Sequence, residues 1–326
     1  MIIPVEPDVS VYEPAQKAII AWNGTEEILV LSTDVNGDAG TFALEIMPLP
    51  SNPKTIEKAS FESFETVQSL IWANVPANMY KALGERDEVI DTIKITFHEK
   101  IGAHDITVVN ASDALQLTRW AGSFLESNGV AENLSMEKFE PVLEDYLNNG
   151  FSYFVFDLIE ASQQKNSLEP ILYKFETSFL YYPLRISSLN PGNSKIILFL
   201  LTEDIVDELF CHPFSIVQYR SRFQLQTSSQ VQFSLTPDEL NRISTEIGKL
   251  FEGNAWLTAL EYEGSMNALT KDLKIHSSAL TLSRFVRVIP MILSLGLIGS
   301  GTAIVVYASL GILMKRKYAV PSQTRR

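Results

Sequence analysis

The sequence of 326 residues contains a single cysteine, Cys211, so no intrachain disulfide can form. This excludes the small secreted folds that depend on a disulfide framework. The neighbouring His212 does not stand at a spacing typical of metal ligands, and no second cysteine is present to resolve an oxidised thiol. We interpret Cys211 as a small apolar residue of a core.

The short motifs that mark common catalytic sites are also missing. The sequence has no G-x-S-x-G elbow, no P-loop and no G-x-G-x-x-G fingerprint, and the nearest glycine cluster lies inside the apolar run described below. His98 and Glu99 begin like a zinc-peptidase motif, but Gly102 stands where the second histidine is required. His104 would approach His98 across a hairpin, yet no third ligand is marked. We therefore assign no catalytic residue, metal ligand or cofactor, and keep a hydrolase using His98 and His104 or scattered carboxylates as an alternative.

Positive charge is scarce in most of the chain. Seven of the 26 Lys and Arg residues lie at position 284 or later, which leaves 19 against all 39 Asp and Glu residues in the preceding part. The formal charge of that part is therefore near −20. Because a surface this acidic repels phosphate backbones and no basic stripe offsets it, we exclude nucleic acid as a partner.

One long apolar run is present, from Val288 to Met314, and its 27 residues include no ionisable side chain. As a helix the run would be about 40 Å long, more than the ~30 Å hydrocarbon core of a bilayer. We predict one transmembrane helix at 286–314.

Basic residues flank this run unequally, with five after it and two close before it. Because positively charged flanks tend to stay in the cytoplasm, we predict a basic cytoplasmic tail at 315–326. Residues 1–285 are then an extracytoplasmic domain, either undivided or built from two subdomains dividing near 160–190. The expected location is the cell membrane, as a single-pass protein with its N-terminal domain outside.

The amino terminus does not fit this orientation as written, because it lacks a basic segment followed by an apolar stretch. Either a signal was removed or omitted, or the chain is tail-anchored with its large domain in the cytoplasm. The tail-anchored alternative places five positive charges on the unfavoured side of the membrane.

Small residues recur one helical turn apart inside the apolar run, at Gly296 with Ser300 and at Gly299 with Ala303. Such positions let a neighbouring helix approach closely. The lipid bilayer is therefore one expected partner. A membrane helix, a second copy of the chain included, or another envelope protein is a further candidate partner, and a lone anchor is the alternative.

Local signals predict both strands and helices before the apolar run. Asn23 and Gly24 stand between strand-like runs at 17–22 and 26–33, which predicts a hairpin. The segment 236–239, Thr-Pro-Asp-Glu, combines an N-cap, a proline at the first helical position and a reciprocal glutamate, which predicts a helix start.

A second hairpin is predicted at 190–193, where an Asn-Pro-Gly-Asn turn would join a strand at 184–188 to one starting at Lys195. Strand-like runs come in neighbouring groups, and helical patterns are interspersed irregularly among them. We therefore predict an α+β domain with mainly antiparallel sheets and no strict βαβ repeat.

Three N-x-S/T triplets provide candidate glycosylation acceptors, at Asn23, Asn110 and Asn133. On an outward-facing domain, Asn23 at a hairpin tip and Asn133 in a loop would be accessible, whereas Asn110 stands at a strand end. The alternative is that all three are ordinary turn and capping residues.

Several segments in a distinctive order carry a family resemblance: 13–24, 27–31, 37–43, 47–50, 61–64, 101–106, 125–129, 146–154, 175–177 and 182–186. They resemble a prokaryotic family named domain of unknown function 2330, over most of residues 13–275. The resemblance implies an exported protein, often with an amino-terminal signal and a carboxy-terminal membrane anchor. It supplies no catalytic residues, and this chain departs from the pattern by lacking the signal and a cysteine-containing entry segment.

These features together favour a membrane-anchored, extracytoplasmic protein of the cell envelope that binds or scaffolds other components. A membrane-anchored hydrolase and an accessory subunit of a larger membrane complex are the alternatives.

Overall fold

The computed structural model describes residues 2–4, 15–35, 41–74, 104–128, 136–161, 166–190, 192–220 and 228–283. The strands are Ile2–Pro4 (β1), Ala15–Trp22 (β2), Glu26–Val35 (β3), Thr41–Leu49 (β4), Thr55–Lys58 (β5), His104–Asn110 (β6), Tyr153–Ala161 (β7), Asn166–Ser167 (β8), Ile171–Glu176 (β9), Phe179–Tyr182 (β10), Asn193–Thr202 (β11), Ser215–Ile216 (β12), Gln218–Arg220 (β13), Ser228–Gln230 (β14), Gln232–Leu235 (β15), Ala255–Ser265 (β16) and Leu273–His276 (β17). The α-helices are Phe61–Asn74 (α1), Ala114–Ser127 (α2), Glu140–Asn148 (α3), Pro237–Ile243 (α4) and Thr245–Leu250 (α5). Short 3₁₀ turns occur at Met136–Phe139, Arg185–Leu189, Glu208–Phe210 and Met266–Ala268.

Two compact units make up the chain, Met1–Leu280 and Thr281–Arg326. The apolar run, with its predicted transmembrane helix at 286–314, and the tail at 315–326 lie outside the described residues. Within the described ranges, no helix combines the length and the apolar character that crossing a membrane requires.

The first unit contains two larger sheets. A nine-stranded sheet, here called the large sheet, has the main order β12-β16-β11-β2-β3-β9-β5, with β15 also on β16 and β8 on β3. A four-stranded sheet, here called the small sheet, has the order β1-β4-β7-β6. Strands on either side of 160–190 pair directly, because β11 lies beside β2.

Antiparallel pairing dominates the described strands. The β2–β11 pair is parallel, and the neighbouring pairs β2–β3, β3–β9 and β11–β16 are antiparallel. The small sheet and the two ribbons β10–β17 and β13–β14 are antiparallel as well. The predicted α+β class with mainly antiparallel sheets is confirmed.

Alternation along the central strands divides the buried side chains between two cores. On β2, Ala18, Ile20 and Trp22 face one core, and Ile19 and Ala21 face the other, as the two-residue period of a strand requires. The first, here the inter-sheet core, joins the large sheet to the small sheet, α2 and α3. The second, here the helix-side core, is closed by apolar residues of α1, α4 and α5: Val67, Leu70, Ile71, Leu240, Ile243, Ile247 and Leu250.

The hairpin predicted around Asn23 is confirmed as β2 and β3. The Asn23 side-chain oxygen accepts the N–H groups of Thr25 and Glu26 at 3.0 and 2.9 Å, which fixes the turn. Gly24 has φ +98°, a left-handed conformation that glycine adopts without a Cβ penalty.

The helix start predicted at Thr236 is also confirmed, as a capping box on α4. Glu239 Oε2 accepts the Thr236 backbone N–H at 2.8 Å, and the Thr236 hydroxyl faces the Glu239 N–H in return. We expect Thr236→Ala to lower the free energy of unfolding by about 1 kcal/mol, since it leaves a helix N–H group without its partner. Urea unfolding followed by circular dichroism measures this loss. Thr245→Ala at the exposed first position of α5 is the matched control, and an equal loss in both variants would contradict the capping role.

The hairpin predicted at 190–193 is wrong. Residues 185–189 form a 3₁₀ turn instead of a strand. The cause is distant in sequence, because the Asp272 carboxylate accepts the N–H groups of Leu184 and Arg185, both at 2.9 Å, and stabilises the start of that turn.

Candidate functional site

Among the described residues of the first unit, three carboxyl side chains are buried, those of Glu27, Glu45 and Asp157. Burial of a carboxyl group without compensation costs several kcal/mol, so each requires a partner or a proton. Two of them, Glu45 and Asp157, lie together with His104 on one face of the small sheet.

Strand register brings these residues together. Glu45 on β4 is directly opposite Asp157 on β7, and Asp157 is directly opposite Ile106 on β6. His104 precedes Ile106 by two positions and therefore shares its face of the sheet. Two carboxylates directly opposite each other repel, so the imidazole beside them supplies the compensating charge.

The His104 ring uses both of its nitrogens. Nδ1 contacts the Asp157 carboxylate, and Nε2 lies 3.1 Å from the Glu169 carbonyl oxygen. A carbonyl oxygen only accepts, and so does an ionised carboxylate, so against an ionised Asp157 both ring nitrogens donate and the ring is an imidazolium. The exposed fractions of the two side chains are 4% for His104 and 1% for Asp157, so this ion pair is shielded from water.

Electrostatics agree with this assignment. Burial alone would lower the pKa of His104, but the hydrogen bond and charge of Asp157, with the charge of Glu45, outweigh burial and raise it above its usual value. Burial also raises the pKa of Tyr173 well above its usual range, with further contributions from Asp157 and Glu45, which places this β9 residue against the same charges. Asp157 Oδ1 has no hydrogen-bond partner.

Glu27 is the third of these buried acids, at 0% exposure in the inter-sheet face of β3. Its Oε2 accepts the N–H of Tyr181 on β10 at 2.7 Å, whereas Oε1 has no hydrogen-bond partner. Burial raises the pKa of Glu27 well above its usual value, and the single N–H bond only partly opposes this. The side chain is therefore a neutral acid that attaches β10 to the large sheet.

The Asp272 cluster consists of Asp272 and four donors: the hydroxyls of Tyr146 and Tyr181 and the backbone N–H groups of Leu184 and Arg185. The distances to the carboxylate are 2.7, 3.3, 2.9 and 2.9 Å respectively. Burial, together with the charge of Asp272, raises the pKa of both tyrosines well above the usual value, so both hydroxyls stay protonated and donate. The cluster connects α3, β10, the 185–189 turn and the residue before β17.

The buried acids, His104 and the two tyrosines bind protons and hold backbone segments in place. This arrangement leaves no ring nitrogen of His104 for a substrate, and a general base must reach the proton that it abstracts. In the part of the chain that the structure describes, no group of three or more His, Cys, Asp and Glu residues is placed to hold a metal ion.

Comparison with protein families gives a match over most of the chain. The model of the family described as "Uncharacterized protein conserved in bacteria (DUF2330)" matches residues 2–275. The chain belongs to this family. The resemblance seen in the sequence is thereby confirmed.

This DUF2330 chain is also similar to solved structures of a baculovirus protein. The crystal structure of baculovirus P35 is 10% identical, with a TM-score of 0.47, over 83% of this chain and 97% of that one. A mutated baculovirus P35 after caspase cleavage is 13% identical, with a TM-score of 0.43, over 81% and 99% of the two chains. At these TM-scores the similarity does not establish a common fold. No curated protein matches the sequence.

Of the predicted glycosylation acceptors of the DUF2330 chain, the structure describes Asn23 and Asn110. The Asn23 side chain is half-buried in its turn and donates from Nδ2 to the Leu250 carbonyl at 3.1 Å, and Asn110 is the exposed last residue of β6. Asn133, His98 and the four small residues predicted for helix packing, Gly296, Gly299, Ser300 and Ala303, lie outside the described residues.

Cys211 lies in the inter-sheet core with no exposed surface, in agreement with its interpretation as an apolar core residue. Burial, with the charges of Asp207 and Glu208, raises the pKa of its thiol to about 12. The thiol is therefore unreactive in the folded protein at neutral pH.

Sequence reasoning missed Glu27, Glu45, Asp157 and Asp272. One signal was present, since Asp157 stands between Phe156 and Leu158 in the stretch 153–159, which is otherwise apolar and aromatic. A single acid in such a stretch indicates a buried charge that needs a partner. Nothing near Asp272 in the sequence indicates its four donors, which are 87 or more residues away.

Proposed function

We propose that this DUF2330 protein is a single-pass, membrane-anchored extracytoplasmic protein that binds or scaffolds other components of the cell envelope. The observation that carries the binding role is the use of its buried ionisable groups. His104, Asp157, Glu27 and Asp272 each bond within the inter-sheet region and hold strands or turns in place. A domain whose buried ionisable groups are used in internal hydrogen bonds is better suited to presenting a binding surface than to catalysing a reaction.

The anchoring part of the proposal is supported by the sequence. The first compact unit ends at Leu280, and the uncharged run begins at Val288. The acidic composition before this run suits a domain that stays in solution beside anionic lipid headgroups without adsorbing to them. The five basic residues after the run favour a cytoplasmic tail.

The hydrolase alternative relied in part on His104. That ring is 4% exposed and both of its nitrogens bond within the protein, which weighs against a direct role on a substrate. The accessory-subunit alternative keeps its support from the small residues at 296–303, which offer a packing face to another helix.

Cysteine labelling in intact cells tests the orientation. The single native cysteine is buried, so the unmodified chain is a low-reactivity background. We expect Ser123→Cys, at an exposed position of α2, to react with a membrane-impermeant maleimide, and Ser322→Cys in the tail to react only after the cells are lysed. The reverse pattern would establish the tail-anchored alternative, and release of the chain by alkaline washing would contradict anchoring.

Extraction from native membranes in mild detergent tests the binding role. We expect the chain to be recovered together with another envelope component, and cross-linking before lysis controls for association after extraction. Recovery only as a free monomer, with and without the cross-linker, would contradict both the scaffolding proposal and the subunit alternative.

A further inference from the structure

His104 connects the two sheets of the first unit. It is the first residue of β6 in the small sheet, and its Nδ1 contacts Asp157 in that sheet. Its Nε2 side faces the Glu169 carbonyl, in a segment attached to the large sheet by the bond from the Leu168 N–H to the Thr33 carbonyl at 3.0 Å. We call His104, Asp157, Glu45 and the Glu169 carbonyl the His104 bridge.

We propose that the His104 bridge is a proton-sensitive joint that releases strand β6 from the large sheet when the pH rises. The proposal holds for either orientation of the chain and does not depend on membrane anchoring.

The two hydrogen bonds of the bridge require a proton on each ring nitrogen. When the imidazolium loses one proton, a lone pair must face either the Asp157 carboxylate or the Glu169 carbonyl, and both of these only accept. Deprotonation also removes the cation that lies beside Asp157, which is directly opposite Glu45. Closure of the bridge and protonation of His104 are therefore coupled.

Among the described residues, the two acids whose charges act on His104 favour its cationic form. Asp157 comes from β7 and Glu45 from β4, and each charge raises the pKa of the ring. Tyr173, from β9 of the large sheet, is held neutral by burial and by the same two acids. The Glu169 carboxylate lies beside Lys58 of β5, so this lysine is already paired and does not oppose the imidazolium.

Strand β6 is the element expected to move when the His104 bridge opens. Among the strands that the structure describes, it lies at the edge of the small sheet, where β7 is its neighbour, and most of its residues are only half-buried. Edge elements with few buried contacts open locally at lower free energy than central strands such as β11, which has β2 on one side and β16 on the other. Loss of the bridge therefore acts first on β6.

The pH window follows from the sign of the shift. The pKa of His104 is raised in the closed state and returns to about 6.5 when the ring meets water. The bridge is therefore fully stabilising below about pH 6.5 and loses this contribution as the pH rises through the raised pKa. Because one proton is released on opening, the opening equilibrium is expected to grow about tenfold per pH unit within that window.

Hydrogen–deuterium exchange on the full chain in detergent, between pH 5.5 and 9, tests the proposal. After correction for intrinsic exchange rates, we expect the protection of β6 amides to be constant below about pH 6.5 and then to fall about tenfold per pH unit, while β11 stays protected. Unchanged protection of β6, or a loss of protection in β6 and β11 together, would contradict the proposal.

Two variants assign the effect to the bridge. His104→Gln is expected to give β6 protection that is low and independent of pH, whereas His276→Gln, at an exposed histidine on β17, is expected to behave as the unmodified chain does. Asp157→Asn removes the charge that raises the pKa of the ring, so opening is expected to shift to lower pH. A response to pH like that of the unmodified chain in either bridge variant would overturn the proposal.

Nitrogen NMR of the unmodified chain gives a reading that does not depend on the folding of any variant. At pH 6 the His104 ring is expected to show both nitrogens protonated. A neutral ring at that pH would contradict the joint directly.

Discussion

Asp272→Ala is expected to lower the free energy of unfolding by about 3–5 kcal/mol, because it removes the acceptor of four donors at once. Tyr146 and Tyr181 lie almost wholly out of water, so their hydroxyls would keep the cost of desolvation without a hydrogen bond. The 185–189 turn would also lose its stabilising acceptor. Urea unfolding of the full chain in detergent, followed by tryptophan fluorescence, measures the loss.

Two further variants define the origin of that loss. Glu263→Ala removes one negative charge at the exposed end of β16 and is expected to change stability by less than about 0.5 kcal/mol. Asp272→Asn keeps one side-chain acceptor and is expected to fall between Asp272→Ala and the unmodified chain. A loss in Asp272→Ala no larger than that of Glu263→Ala would show that the four hydrogen bonds do not stabilise the fold.

Glu27→Gln is expected to stabilise the protein at neutral and alkaline pH and to leave its stability near pH 4.5 almost unchanged. The pKa of Glu27 is raised well above 4.5 by burial, so the folded state keeps a proton that the unfolded chain releases. The stability from this group is therefore complete below about pH 4.5 and declines as the pH rises towards the raised value. Within that window the decline is about 1.4 kcal/mol per pH unit, and a side chain that does not ionise removes it.

Unfolding curves at pH 4.5, 6 and 8 measure this slope. Glutamine retains an acceptor for the Tyr181 N–H and replaces the protonated oxygen with an amide, so the packing of the neutral acid is preserved. Glu263→Gln, at an exposed site, removes the same charge without the buried environment and serves as control. An equal pH slope in Glu27→Gln and the unmodified chain would mean that Glu27 is ionised when buried.

The elements predicted correctly from the sequence depend on neighbours in the chain. The Asn23 side chain bonds to Thr25 and Glu26, and Thr236 exchanges bonds with Glu239, so each signal is contained in four residues. The continuous apolar run at 18–22 in β2 likewise indicates a strand buried on both faces. Such signals give element type and position, and from them the α+β class.

The candidate site depends on partners that are far apart in the sequence. His104 and Asp157 are separated by 53 residues, and Glu27 and Tyr181 by 154. No local pattern specifies which strands become neighbours, because the pairing of segments far apart in the sequence depends on the tertiary fold. The strand predicted at 184–188 failed for the same reason, since the acceptor that stabilises its turn is Asp272.

Because β2 and β11 are neighbours in the large sheet but lie far apart in the sequence, the centre of that sheet cannot be completed until β11 has been synthesised. Ala15 pairs with Lys195 and Trp22 with Thr202, positions about 180 residues apart. The β2–β3 hairpin can form early, but one side of β2 stays without its neighbour until β11 has been made. Long-range pairing of this kind slows folding and prolongs exposure of strand edges. A chain shortened before residue 193 would therefore retain an open central strand, Ala18 to Trp22, as a site for self-association.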